Sequence, residues 1–167
     1  MLTKNDFSPE DWNSLRDLPH LVGFATLFAG SSGLGTVKES LAIAQGILEG
    51  QSSNVPLIRD LANRAEIESA QAAIRETLGD ANTKIPQDRM KSLVLERVGT
   101  GLSVLGVKGT LEEVAAFRQW LYGIAEKVAK AAKEGGFLGF GGTQVSEEEL
   151  AFLSDLRTAL QLPVSGS

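Results

Sequence analysis

Apolar residues recur at steps of three and four along most of this chain, and a sustained alternation at steps of two is nowhere present. The clearest stretch is 110–134, where Leu111, Val114, Phe117, Leu121, Ile124, Val128 and Ala132 form one stripe. That period belongs to a helix with one buried face. Gly135 and Gly136 follow it, and glycine is the usual residue past a helix end. Residues 86–105 repeat the pattern through Met90, Val94, Val98, Leu102 and Leu105. Residues 56–78 are rich in Ala, Leu, Ile, Glu and Arg and end at Gly79, which again predicts a helix. Residues 36–49 and 147–161 complete the set.

Two helix starts are marked by their caps. In Phe7-Ser8-Pro9-Glu10-Asp11-Trp12, Ser8 suits the cap, Pro9 the first helical position, and Phe7 can pack on Trp12. In Val145-Ser146-Glu147-Glu148-Glu149-Leu150, Ser146 and Glu149 have capping-box spacing, and Val145 and Leu150 have staple spacing. These signals predict an all-α fold: a single-domain bundle of about six or seven helices. The expected domain is the whole of 1–167, with an ordered core over 7–162 and a tail at 163–167.

The stretch FAGSSGLGTVKES, residues 28–40, interrupts the pattern with Gly30, Gly33 and Gly35. A phosphate-binding Walker loop needs Lys and a hydroxyl directly after its last glycine. Here Thr36 and Val37 follow Gly35, and Lys38 is displaced by two positions, about 200° around a helix. A joint between packed helices fits better. GTVKESLA at 35–42 resembles GTLEEVAA at 109–116, and each follows an apolar, glycine-bearing segment, 21–30 or 98–106. Thr36 with Glu39, and Thr110 with Glu113, have capping-box spacing. The repeat implies two related helix–glycine–helix units about a pseudo-twofold axis.

Composition changes the picture mainly by exclusion. The 167 residues suffice for one domain with a sizeable core. The net charge is −5, which argues against nucleic-acid binding, since that needs a concentrated basic surface. Lys127, Lys130 and Lys133 line up, but Glu126 and Glu134 interrupt them, and cations there complement the helix dipole. The chain has no cysteine, which removes disulfides, thiolate nucleophiles and Cys-ligated metals. No run of about 18 apolar residues predicts a transmembrane segment. The opening residues lack the pattern of a signal peptide. A cytoplasmic location is the expectation.

Candidate chemistry is thin. His20 is the only histidine, so histidine triads and multi-histidine metal sites have no second member, and its place after Pro19 fits a helix boundary. Glu39 and Glu113 could meet across the pseudo-twofold and hold a cation, but capping explains both. The segment EGGFLGFGGTQVSEEE, 134–149, sets Phe137, Leu138 and Phe140 among glycines. Those side chains either plug the bundle end beside a glycine cap or form an apolar loop that contacts a partner. No catalytic residue, metal ligand or cofactor site is expected.

The segments SGLGTVKES at 32–40 and IAEKVAKAAKEGGFLGFGG at 124–142, with VSEEE at 145–149, resemble an uncharacterised family of small bacterial all-helical proteins. The resemblance runs from Trp12 to about Leu160 and implies a bacterial origin, with no established activity. GGTQVSEEELAFL, 141–153, is also similar to the TerB-like helical domains of tellurite-resistance proteins, which carry acidic metal-binding residues near an Asp-Gly turn. This chain has Ser32-Gly33 and Gly142-Thr143 where that Asp would stand, so the metal ligands do not carry over. The expected function is that of a non-enzymatic bundle working through protein–protein contacts. The alternatives are a bundle that holds a small apolar or lipid-like ligand between helices 21–30 and 98–106, and a TerB-like metal-binding or stress-response protein.

Overall fold

A computed structural model describes residues 1–30, 37–79, 85–134 and 145–163. The helices are α1 (Pro9–Arg16), α2 (Leu18–Gly30), α3 (Val37–Glu49), α4 (Pro56–Leu61), α5 (Arg64–Leu78), α6 (Gln87–Lys108), α7 (Leu111–Glu134) and α8 (Glu147–Ala159). Among the described residues there is no strand. The six-residue α4 is little more than one turn, which leaves seven substantial helices in an all-α bundle, as the sequence predicts.

Local chemistry accounts for the boundaries. The Ser8 hydroxyl accepts the Asp11 amide at 3.1 Å, and Pro9 opens α1. The rings of Phe7 and Trp12 lie 5.9 Å apart, as a hydrophobic staple requires. Gly79 ends α5 with a φ of 79°, in the left-handed region that glycine adopts without penalty. The expected single helix over 56–78 is a correction: it breaks at Ala62, and Asn63 caps α5 by accepting the Glu66 amide at 3.0 Å. A short polar side chain that bonds backbone locally competes with helix continuation.

The bundle is built around α2. Ten of its residues are buried, among them Leu18, Val22, Ala25 and Ala29, on all sides of the helix, which is the pattern of a central rather than a surface helix. It packs against α6, α7, α8 and α3, while α3 lies mainly on α7. The two glycine-bearing units, α2–α3 and α6–α7, therefore interleave: their contacts are chiefly between units rather than within them. The α7 stripe closes the core with Phe117, Leu121 and Val128 fully buried. Its first member differs, for Leu111 is 91% exposed at the start of α7. A second apolar cluster joins Leu27 of α2, Ala42, Ile43 and Ile47 of α3, and Ile124 and Val128 of α7.

Close approach explains three of the glycines in the apolar segments, Gly23, Gly101 and, against Glu149, Gly30. A β-carbon on Gly23 would sit 2.8 Å from Ile43, and one on Gly101 would sit 2.6 Å from Leu18. Both are tight joints between helices. Gly99 and Gly106 on α6 have nothing within 4 Å, so packing does not require them.

Candidate functional site: buried glutamates at helix starts

Among the described residues four acidic side chains are buried, Glu39, Glu66, Glu113 and Glu149. Each is the third residue of a helix, of α3, α5, α7 and α8 respectively. At that position a carboxylate reaches back to the free backbone amides of the first turn and meets the positive end of the helix dipole. Position therefore explains why four carboxylates tolerate burial. The remaining oxygens distinguish them.

Glu113 is the most fully bonded. One oxygen accepts from the Thr110 amide and hydroxyl, both at 3.0 Å, and the Thr110 hydroxyl accepts the Glu113 amide at 3.2 Å. This is the capping box expected there. Its other oxygen accepts the Leu2 amide at 2.5 Å. Burial pushes the carboxyl up, but these hydrogen bonds from Thr110 and Leu2 outweigh it and hold the carboxyl below its ordinary value. Glu66 is tied similarly. Burial raises it, while the Lys4 ammonium at 2.5 Å and the Trp12 indole N–H at 2.8 Å lower it further than burial raises it. Both glutamates pin the N-terminal segment across helix starts. Glu39 is buried in the first turn of α3, and its expected cap, Thr36, lies outside the described residues.

Glu149 differs. One oxygen completes a capping box with Ser146, accepting its amide at 2.9 Å, while the Ser146 hydroxyl accepts the Glu149 amide at 3.1 Å. The other oxygen, Oε1, is buried with no hydrogen-bond partner among the described residues. It presses on Gly30 at the end of α2, where a β-carbon would lie 2.0 Å from it. Burial, with the nearby negative charge of Glu39, raises this carboxyl above its ordinary value. Both oxygens of Glu113, by contrast, are engaged by Thr110 and Leu2.

His20 is the third residue of α2, so it marks a helix start as expected. It is buried, its Nδ1 has no hydrogen-bond partner among the described residues, and burial together with the Arg16 charge lowers its pKa to about 4. The ring is neutral near neutral pH. Among the described residues no group of three acidic, histidine or cysteine side chains converges as metal ligands. Phe137, Leu138 and Phe140, the expected partner-contact residues, lie outside the described residues.

Two surface features complete the inventory. A groove of about 210 Å³ runs between α1, α5 and α6, lined by Glu10, Asn13, Asp17, Leu21, Thr77 and Arg97. On α3, Leu41 and Leu48 are 55% and 48% exposed, with Ala44 exposed between them. The spacing i, i+3, i+7 puts the three on one face, opposite Ala42, Ile43 and Ile47 in the core. Two signals for these features were present in the sequence. A capping residue three before a glutamate marks three of the four buried carboxylates with Thr or Ser, and the fourth with Asn63. The apolar residues of 36–49 are too many for one helix face.

Compared with protein-family models, curated proteins and solved structures, the chain matches none. No helix among the described residues is long and apolar enough to cross a membrane.

Proposed function

We propose that this chain is a non-enzymatic helical-bundle protein that acts through protein–protein contacts, and that the outer face of α3 is its contact surface. The observation that carries the reading is the exposed row Leu41, Ala44, Leu48 on a helix whose other face is locked into the core. Leucine pairs at this spacing are the anchors by which one amphipathic helix accepts another. The partner's chemistry follows: an amphipathic helix that lays its apolar side along α3. The close contact of Gly101 on α6 with Leu18 on α2 favours a tight joint over a ligand gap between those helices. A cytoplasmic location and membership of the small bacterial all-helical family belong to this reading. The cysteine-free composition suits a reducing compartment.

The test is a photo-crosslinking side chain at Gln45, which is exposed beside the row, introduced in the native host. A discrete protein adduct at Gln45, absent when the same group is placed at exposed Arg75 on α5, supports the reading. No adduct, or the same adducts from both positions, overturns it.

A further inference from the structure

We propose that residues 2–7 are a strap that swings off the bundle as one unit while the helices stay folded, and that the Lys4–Glu66 ion pair is its catch. The proposal stands apart from the contact surface on α3 and does not depend on it.

The strap is built to move as one piece. Lys4–Asp6 is a single turn of 3₁₀ helix, and the Asp6 amide donates to the Thr3 carbonyl at 3.1 Å. The Asp6 carboxylate accepts from the Thr3 amide at 2.8 Å and from the Thr3 hydroxyl at 2.9 Å. These bonds need nothing from the bundle, so they travel with the strap.

Its attachments are polar and reach four helices. The Leu2 amide donates to Glu113 at the start of α7, and the Lys4 amide to Asp60 on α4 at 3.1 Å. The Lys4 ammonium pairs with Glu66 at the start of α5. The Lys108 ammonium, at the end of α6, donates to the Asp6 carbonyl at 2.8 Å. The apolar hold is smaller. None of residues 2–7 is buried, and only Leu2, Thr3 and Phe7 are partly so. Leu2 rests at the corner between α6 and α7, where a β-carbon on Gly109 would lie 3.4 Å from it, and Phe7 rests on Trp12. Buried apolar area is the main favourable term in folding, so a segment that buries little of it opens well below the cost of global unfolding. The packing of α2 on α6 and α7 is direct and does not run through the strap.

Lys4 is the catch because its attachment joins two charges, whereas the other three each use a backbone group of the strap. Its partner carboxylate is only 7% exposed, and charge-assisted bonds are the stronger kind. Burial raises the Glu66 carboxyl, but the bonds from Lys4 and Trp12 hold it below its ordinary value, so it is ionised at neutral pH. The Lys4 ammonium also lies 5.7 Å from the centre of the Trp12 ring. Opening leaves Glu66 with the Trp12 indole and uncovers the side of Trp12 on which Lys4 and Phe7 lie.

Water-exchange NMR of the backbone amides reads the opening directly, because Leu2 and Lys4 both donate from the strap. In the parent both amides should be protected, and far less than those of Val22 and Ala25 inside α2. In Lys4→Met the Leu2 amide should exchange about tenfold faster or more, the effect of losing a hydrogen bond to a charged group, although its acceptor Glu113 is untouched. Lys4→Arg keeps the charge and should hold the Leu2 amide near the parental rate. The proposal fails if the parental Leu2 and Lys4 amides are as protected as those of α2, or not protected at all. It fails if Leu2 exchanges at the parental rate in Lys4→Met, because the two ends are then held independently. It also fails if Lys4→Arg loosens Leu2 as much as Lys4→Met does, because the charge is then not the catch.

Discussion

Burial of charge is tolerated at single residues here because each carboxylate stands where a helix start supplies donors. Glu113 shows the consequence. Its capping contacts explain why it sits at the third position, and its contact with the Leu2 amide gives it a second task. Glu113→Ala should cost about 1–2 kcal/mol, the loss expected for a cap contact together with a hydrogen bond left unmade. Glu113→Gln should cost less, because one amide oxygen can still accept from Thr110. Chemical unfolding at neutral pH checks both. His20 makes a second prediction. Its folded pKa of about 4 lies below the ordinary 6.5. The stability from keeping it neutral is therefore full above the ordinary value and is lost as pH falls from there toward the folded value. The loss is on the order of 3 kcal/mol. Urea unfolding at pH 7 and pH 4.5 should show that slope in the parent and its absence in His20→Leu. An equal slope in both assigns the acid sensitivity to other groups.

Among the helices, what the sequence made legible depended on whether a helix has a water-facing side. The stripes of α6 and α7 could be read because polar residues alternate with apolar ones around them, and Met90, Val94, Val98 and Leu102 are all buried as their spacing implied. The α2 segment, buried all round, has no such contrast, so its central place came only from the structure. Residues 56–78 read as one helix because propensity is a sum over a window, whereas the break rests on one side chain, Asn63. The glutamates were legible as caps, but not the approach of Glu149 to Gly30 at the end of α2, because sequence spacing within one helix says nothing of which helix ends converge. The glycines give a prediction at this scale. Gly99→Ala, with open space around it, should stabilise the protein by about 0.5–1 kcal/mol through helix propensity. Gly101→Ala must displace Leu18 and should destabilise by about 1–3 kcal/mol, the usual cost of overpacking. Paired thermal melts check the contrast. Equal effects at the two positions would remove the case for a tight joint at Gly101.

For the whole molecule, the interleaving of α2–α3 with α6–α7 places α3 at the edge of the bundle, held by Ile43 and Ile47 against α2 and α7. An edge helix anchored on one face and apolar on the other is where a bundle can accept a further helix without unfolding. That is the central claim, and the most direct measurement of it is a paired readout on Leu41→Glu combined with Leu48→Glu: the melting temperature and the yield of adduct from the crosslinker at Gln45. Both leucines are about half exposed, and surface changes of that kind usually move stability by about 0.5 kcal/mol each at most. The account predicts melting within about 5 °C of the parent and loss of the adduct. An adduct that persists at parental yield in the double variant would contradict it.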